Sequence, residues 1–329
     1  MRCQESVHAA RLGRTHRRLE LRLSHPNKPI PQCYRVTGGR LARDSDLTNL
    51  LRLQAHLRAR PKSQYTDRQG QPCRHPGGLY SQSLGEVLSH MRELTEEIPP
   101  QGRPDTLRTT WPKVMSALKA LLIELDSHAD DLKTIIVSTN TLPNKKVTQV
   151  GRQIDATFEE LVGRPINRVK HNGEKFEPCY CYNQEFTVYG YHVTGVRTDG
   201  AVGPSAQAHG STGTSWSFSV TLRRLLGQLV LAARMVYPHV RSSLALPLPM
   251  WGQQERSDLC AIANWLQRCA PFCFPNEEHV RVPDFGLWGD EPYLHIATLK
   301  HPRSVHTRPG VTWSRQISGD GVATQFSVM

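Results

Sequence analysis

The chain has 329 residues and a mass of 37.1 kDa, with 38% hydrophobic and 21% charged residues. This length suffices for one large domain or two ordinary ones, and the hydrophobic content predicts a globular protein. No apolar run approaches the length of about 18 residues that marks a membrane-spanning helix, and the first residues lack the apolar core of a signal peptide. We therefore expect a cytoplasmic protein with no membrane partner, in which the eight cysteines are mostly free thiols.

The net charge of +12 lies almost entirely near the N-terminus, because residues 1–75 contain 16 Lys or Arg against 5 Asp or Glu. A basic segment joined to a neutral body is typical of proteins that neutralise phosphates, and the planar guanidinium of arginine suits phosphate well. The sequence therefore predicts nucleic-acid binding, although the same charge pattern also fits an arginine-rich face that only meets solvent. The predicted contact residues are Arg14, Arg17, Arg18, Arg22, Arg40, Arg43, Arg52, Arg58 and Arg60.

Residues 1–132 predict a basic N-terminal arm followed by a mainly helical region. From Asp46, a favoured N-cap residue, apolar positions recur with helical spacing until Pro61 breaks the pattern. A second helix is predicted from Ser83, which begins a capping-box sequence, and a third from Pro112. We expect the second and third helices to pack against each other as a pair.

Residues 133–329 predict an α+β sheet domain. Apolar runs at 135–137 and 166–170 predict buried strands, and the Asn-Gly pair at 172–173 predicts a hairpin turn. With a strand at 293–299, this order is compatible with a ferredoxin-like (split βαβ) sheet. Such a sheet can present one face to single-stranded RNA through stacked aromatic residues, in keeping with RNA rather than duplex DNA as the partner. The candidates for stacking are Tyr180, Tyr182, Tyr189 and Tyr191.

A long polar loop, residues 197–215, lies between two strand-like stretches of this second region. After it, apolar residues alternate over 216–220 and predict a short strand, and the helical spacing then begins at Thr221 and ends at Pro238. Connections of this length in a compact domain are usually working loops or disordered segments. We expect the loop to contact the nucleic-acid backbone through His209, Ser211, Thr212 and Gly213.

A histidine and a hydroxyl are placed together by the sequence Tyr-His-Val-Thr, since His192 and Thr194 share one face of a strand. Such a pair can act on a phosphate, with the imidazole as general acid or base. It resembles one half of the His-x-Thr pair of two-histidine phosphoesterases. His295 is the candidate for the second half, although its threonine, Thr298, is one place further away. The competing interpretation is a histidine that is simply hydrogen-bonded within a sheet.

Four residues near the C-terminal part could hold zinc: Cys260, Cys269, Cys273 and His279. Zinc prefers about four thiolate or imidazole ligands in a tetrahedron. The spacing resembles that of CCCH zinc fingers, with the last two gaps in the opposite order. The alternative is that these cysteines are buried thiols without a metal, and no other cofactor is expected.

The leading hypothesis from the sequence is a non-enzymatic nucleic-acid-binding protein that belongs to a nucleoprotein assembly of the viral or mobile-element type. The first alternative is a phosphodiesterase or RNA-processing enzyme that uses His192. The second is a structural or assembly subunit that binds other protein subunits. Neither a complete Walker loop nor a dinucleotide-binding glycine motif occurs in the chain.

Overall fold

The computed structural model describes residues 45–60, 75–99, 110–139, 142–182, 187–196, 202–205, 208, 215–243, 245–269, 272–304, 313–316 and 323–326. All of them belong to one compact unit, Ala42–Met329. Several predicted contact residues lie outside the described ranges, and their predictions stay as they are: Arg14, Arg17, Arg18, Arg22, Arg40, Arg43, His209, Ser211, Thr212 and Gly213.

Helices supply most of the core. They are α1 (Thr48–Arg58), α2 (Pro76–Glu97), α3 (Trp111–Ser138), α4 (Asn144–Phe158), α5 (Arg164–His171), α6 (Phe218–Val240) and α7 (Gln253–Arg268). A π-helical turn, Glu159–Gly163, joins α4 to α5. None of these described helices is both long enough and apolar enough to cross a membrane.

The strands form small sheets. Strand β1 (Lys175–Tyr182) runs antiparallel to β2 (Thr187–Val196), which also pairs with β3 (Val202–Pro204) and β4 (Trp216–Ser217). Farther along, β5 (Phe272–Cys273) is parallel to β8 (Arg303–Ser304), β6 (Val282–Trp288) forms an antiparallel hairpin with β7 (Glu291–Lys300), and β9 (Trp313–Gln316) pairs with β10 (Ala323–Phe326). The fold is α+β, as predicted, but the ferredoxin-like sheet is not confirmed.

Two of the strands that the ferredoxin-like arrangement needed are helical. Residues 135–137 form the last part of α3, because Ile135 and Ile136 continue the apolar stripe of that helix and pack into the core. Residues 166–170 belong to α5, where Ile166 is buried. The β-branched residues suggested strands, but tertiary packing overrode this weak local preference.

Helix boundaries also differ from the predictions. Helix α2 begins at Pro76 instead of Ser83, and the side chain of His75 caps it by accepting a hydrogen bond from Gly77 N at 3.2 Å. The Asn-Gly pair ends α5 instead of turning a hairpin, since Gly173 has a φ of 68° and follows the cap residue Asn172. Glycine takes this left-handed conformation without strain, which is why it commonly follows a helix.

Helix α6 also extends beyond its predicted limits. It begins at Phe218, so the predicted strand over 216–220 shortens to β4, and Pro238 lies inside the last turn. A proline there removes a single backbone donor from the end of the helix, and the helix continues to Val240.

One hydrophobic cluster unites the described helices with strands β2, β4, β6 and β7. Helices α2 and α3 pack together as expected, and α6 packs against α1, α3, α4 and β6. The predicted boundary after residue 132 falls inside α3. The regions on either side of that boundary therefore share one helix and one core.

Candidate nucleic-acid interface

The C-terminal ends of α1 and α6 lie side by side, and this contact positions the basic residues of α1. Leu50, Leu53 and Leu57 are completely buried on the core side of α1. Arg52 is exposed because a residue two positions from Leu50 lies on the other side of a helix with 3.6 residues per turn. The apolar spacing of α1 therefore fixes the outward direction of its arginine.

His56 attaches the segment after α6 to α1. Its Nδ1 accepts a hydrogen bond from the backbone N–H of Ser242 at 3.1 Å, and its Nε2 lies 3.4 Å from the hydroxyl of Tyr237. Burial and the charge of Arg60 lower the pKa of His56. The ring is therefore neutral at neutral pH, with its proton on Nε2, because Nδ1 serves as an acceptor.

Arg60 also contacts the end of α6. Its Nε and Nη2 atoms donate hydrogen bonds of 3.2 and 3.0 Å to the carbonyl oxygen of Val240. This carbonyl belongs to the last turn of α6, where backbone acceptors lack helical partners. The acceptor is uncharged, so the positive charge of Arg60 is not neutralised by this contact.

An open cavity of about 750 Å³ lies between the end of α1 and the segment that follows α6, and we call it the arginine cavity. Its walls carry two exposed guanidinium groups, two serine hydroxyls and several apolar side chains, and no described acidic residue lines it. The lining residues are Arg52, Ala55, His56, Tyr237, Arg241, Ser242, Ser243, Ala245, Leu246, Pro247 and Leu248. This combination suits an anionic ligand that also has an apolar part.

Arg52 and Arg241 line the cavity, and Arg60 contacts Val240, the residue before Arg241. Arg58 ends α1 and faces Ser81 of α2. We call these four residues the arginine group: Arg52, Arg58, Arg60 and Arg241. Within the described part of the chain, none of the four has a carboxylate partner; Arg58 donates to the hydroxyl of Ser81 at 3.1 Å. Several other arginines do have carboxylate partners, in the pairs Arg92–Glu96, Arg168–Glu174, Arg224–Glu160 and Arg256–Glu291. The arginine group therefore carries positive charge that no described carboxylate neutralises.

The predicted catalytic residues are not assembled into a site. His192 is completely buried on β2, and its Nε2 lies 3.6 Å from a carboxylate oxygen of Glu177 on β1. Thr194 is also buried, and the neighbouring His192 and Thr194 lower the pKa of Glu177. His295 lies on β7, in a different sheet. This geometry fits a histidine that is paired within a sheet and does not bring the two halves of a phosphoesterase motif onto adjacent strands.

Two of the four tyrosines predicted to stack on bases lie inside the core, whereas Tyr180 is half-buried. Tyr189 and Tyr191 are buried, and the ring of Tyr191 packs against Trp216 and Phe218 with centroids 5.6 and 5.5 Å apart. A ring inside the core cannot stack on a base. Tyrosines of β2 therefore stabilise the sheet and its contact with α6.

The predicted zinc site is not formed by the described residues. Cys260 is half-buried on α7, Cys269 follows the end of that helix, Cys273 is buried on β5, and His279 is exposed. Nine helical residues span about 13 Å, which is too far for Cys260 and Cys269 to share one ion. Burial raises the pKa of the Cys269 and Cys273 thiols, which keeps them protonated, and no group of three metal-binding side chains occurs among the described residues.

Sequence reasoning missed Arg241, His56 and Tyr237. Arg241 directly follows the end of α6, and a basic residue after a helix is too common to indicate a site. Its significance depends on the contact between α1 and α6, which joins residues that are remote in the sequence. Comparisons with protein-family models, curated proteins and solved structures found no match, so the functional argument depends on the residues of this chain.

Proposed function

We propose that this protein binds nucleic acid as a component of a nucleoprotein assembly, and that RNA or another single strand is its preferred partner. The observation that supports this proposal is the arginine group, in which four guanidinium groups have no described carboxylate partner. Arginine donates paired hydrogen bonds to phosphate oxygens, and like charges gathered on one surface attract a polyanion.

The mechanism is mainly electrostatic. Each arginine that neutralises a phosphate releases counterions from the strand, so the affinity depends steeply on salt concentration. The basic excess of residues 1–75 adds further charge to the same chain. We therefore expect affinity that depends weakly on base sequence and strongly on ionic strength.

A salt titration of the full chain tests the proposal. A fluorescently labelled single-stranded RNA is titrated with protein at low salt, and the measurement is repeated at rising salt with duplex DNA of the same length as the comparison. We expect measurable binding at low salt, loss of affinity as salt rises, and tighter binding of the single strand. Absence of binding at low salt, or an affinity that does not change with salt concentration, would refute the proposal.

The same preparation also addresses the two alternative functions. A stable oligomer that is free of nucleic acid, seen in a measurement of molecular mass, would favour a structural subunit that binds protein partners. Cleavage of the labelled RNA that is lost in His192→Ala would favour the enzyme. Buried His192, paired with Glu177, gives no geometric support for such cleavage.

A further inference from the structure

We infer that the arginine cavity holds one nucleotide unit of a bound single strand and that it also binds a free nucleoside monophosphate. This inference rests on the proposed function, because it assigns the position where that strand meets the fold. It adds a defined small ligand and a defined site to an interaction that otherwise depends only on charge.

The size of the cavity limits what can enter it. Its volume is about 750 Å³, which lies within the range of about 300–1,000 Å³ that small-molecule and cofactor pockets occupy. A single nucleotide is of a size for this space, and only an unpaired nucleotide has both its base and its phosphate free to contact the lining. The cavity therefore selects an unpaired nucleotide over one held in a duplex.

The lining provides a partner for each part of a nucleotide. Arg52 and Arg241 can donate to the phosphate, and the hydroxyls of Ser242 and Ser243 can bond to phosphate or sugar oxygens. Apolar side chains from the segment 245–248 line the same cavity and offer a surface to the flat face of a base. Inorganic phosphate lacks the base, and a nucleoside lacks the phosphate, so each uses only part of this lining.

Arg241 is held in position before any ligand arrives. The residue before it, Val240, accepts two hydrogen bonds from Arg60, and the residue after it, Ser242, donates one to His56. Both sets of hydrogen bonds come from residues at or just after the C-terminal end of α1, the helix that carries Arg52. A ligand that bridges Arg52 and Arg241 therefore loses little free energy to ordering the backbone of the site.

The test uses titration calorimetry on the full chain with uridine or adenosine monophosphate, and with inorganic phosphate and the matching nucleoside as comparators. We expect the monophosphate to bind about tenfold more tightly than either comparator, since a tenfold difference corresponds to about 1.4 kcal/mol of added contact. Ala55→Trp fills the cavity without changing its charge and should weaken monophosphate binding at least about tenfold. Ala156→Trp, an exposed alanine of α4 that does not line the cavity, is the matched control and should have no effect.

The outcomes separate this inference from the proposed function. Equal affinity for monophosphate and inorganic phosphate would overturn the inference, as would unchanged binding in Ala55→Trp. In both cases, if the protein still binds single-stranded RNA in a salt-dependent way, the proposed function is not refuted. Monophosphate binding without strand binding would refute the proposed function and keep the cavity as a nucleotide site. Arg52→Gln with Arg241→Gln provides a second variant in case Ala55→Trp does not fold.

Discussion

Among the single residues, His56 has the clearest effect on the site without contributing charge to it. Its side chain is 7% exposed, and it accepts the backbone hydrogen bond of Ser242. A partly buried donor that loses its acceptor carries a modest free-energy cost, because water replaces the lost hydrogen bond only in part. The position of Arg241 therefore depends on a neutral residue of α1.

We predict that His56→Ala lowers the free energy of unfolding by about 1 kcal/mol, since the partly buried Ser242 N–H loses its acceptor. Strand affinity should also fall, although the charge of the protein at neutral pH is unchanged. Urea denaturation and RNA titration measure the two effects. His90→Ala is the control, because His90 is partly exposed and hydrogen-bonds to Glu93 within its own helix, far from Ser242 in the sequence. Equal effects of the two substitutions would contradict the role of His56 in positioning Ser242 and Arg241.

Glu277 is a second residue whose environment makes a measurable prediction. It is completely buried, and its two oxygens accept hydrogen bonds from Ser217 N and Phe274 N, each at 3.0 Å. Burial raises the pKa of Glu277 from 4.5 to about 7, while the hydrogen bonds oppose the rise. The folded protein therefore holds this proton at a pH where the unfolded chain has released it.

We predict that this group stabilises the fold below pH 4.5 and that its contribution is lost as the pH rises toward 7. Thermal unfolding of wild type and Glu277→Gln across this range measures the effect, and the variant should show a flatter profile. Each pKa unit of the difference corresponds to about 1.4 kcal/mol. Glu278→Gln, at the neighbouring position, is the control and should follow the wild-type profile. Parallel profiles for Glu277→Gln and wild type would show that burial does not perturb this carboxyl.

Among the elements, the contact between α1 and α2 controls where the end of α1 lies. A Cβ atom placed on Gly77 would come within 2.9 Å of the backbone nitrogen of Arg58. Backbone atoms cannot move aside as a flexible side chain does, so the two helices would have to separate. A similar atom on Gly85 meets nothing within 4 Å.

We predict opposite effects for alanine at these two positions of α2. Gly85→Ala should stabilise the protein by up to about 1 kcal/mol, because alanine is the better helix former. Gly77→Ala should destabilise it and weaken strand binding, since the end of α1 carries Arg58 and Arg60. Urea denaturation of both variants gives the comparison. Stabilisation by both substitutions would show that the helices do not approach as closely as described.

The elements also show what could be predicted from the sequence. The apolar spacing of α1, α2, α3 and α6 identified helices correctly, because an amphipathic helix buries the same face that its sequence displays. The strand predictions for 135–137 and 166–170 were wrong, since a short apolar run fits a strand or a buried helix equally well. Strand β6 was missed because Pro283 and Gly286 interrupt it, and the proline lies at an irregularity in its pairing with β7.

For the whole molecule, the sequence shows which residues are charged, but packing of the core decides which charged residues lie near one another. The sequence predicted Arg52, Arg58 and Arg60 as contact residues from their outward positions on one basic helix. It could not predict that Arg241 joins them, because this depends on packing between α1 and α6 within one shared core. For the same reason the sequence could not show that His192 and His295 lie in different sheets, or that Cys260 and Cys273 lie on different elements.

The salt dependence of single-stranded RNA affinity, compared between two charge-matched variants, tests the central claim most directly. One variant carries Arg52→Gln and Arg241→Gln, and the other carries Arg152→Gln and Arg281→Gln, two exposed arginines that do not line the cavity. We predict that the slope of log affinity against log salt falls by about 1.4 in the first variant, because each lost contact with a single strand removes about 0.7. The second variant should keep the wild-type slope. An equal loss in both variants, or no loss in the first, would contradict the assignment of the arginine group as the nucleic-acid interface.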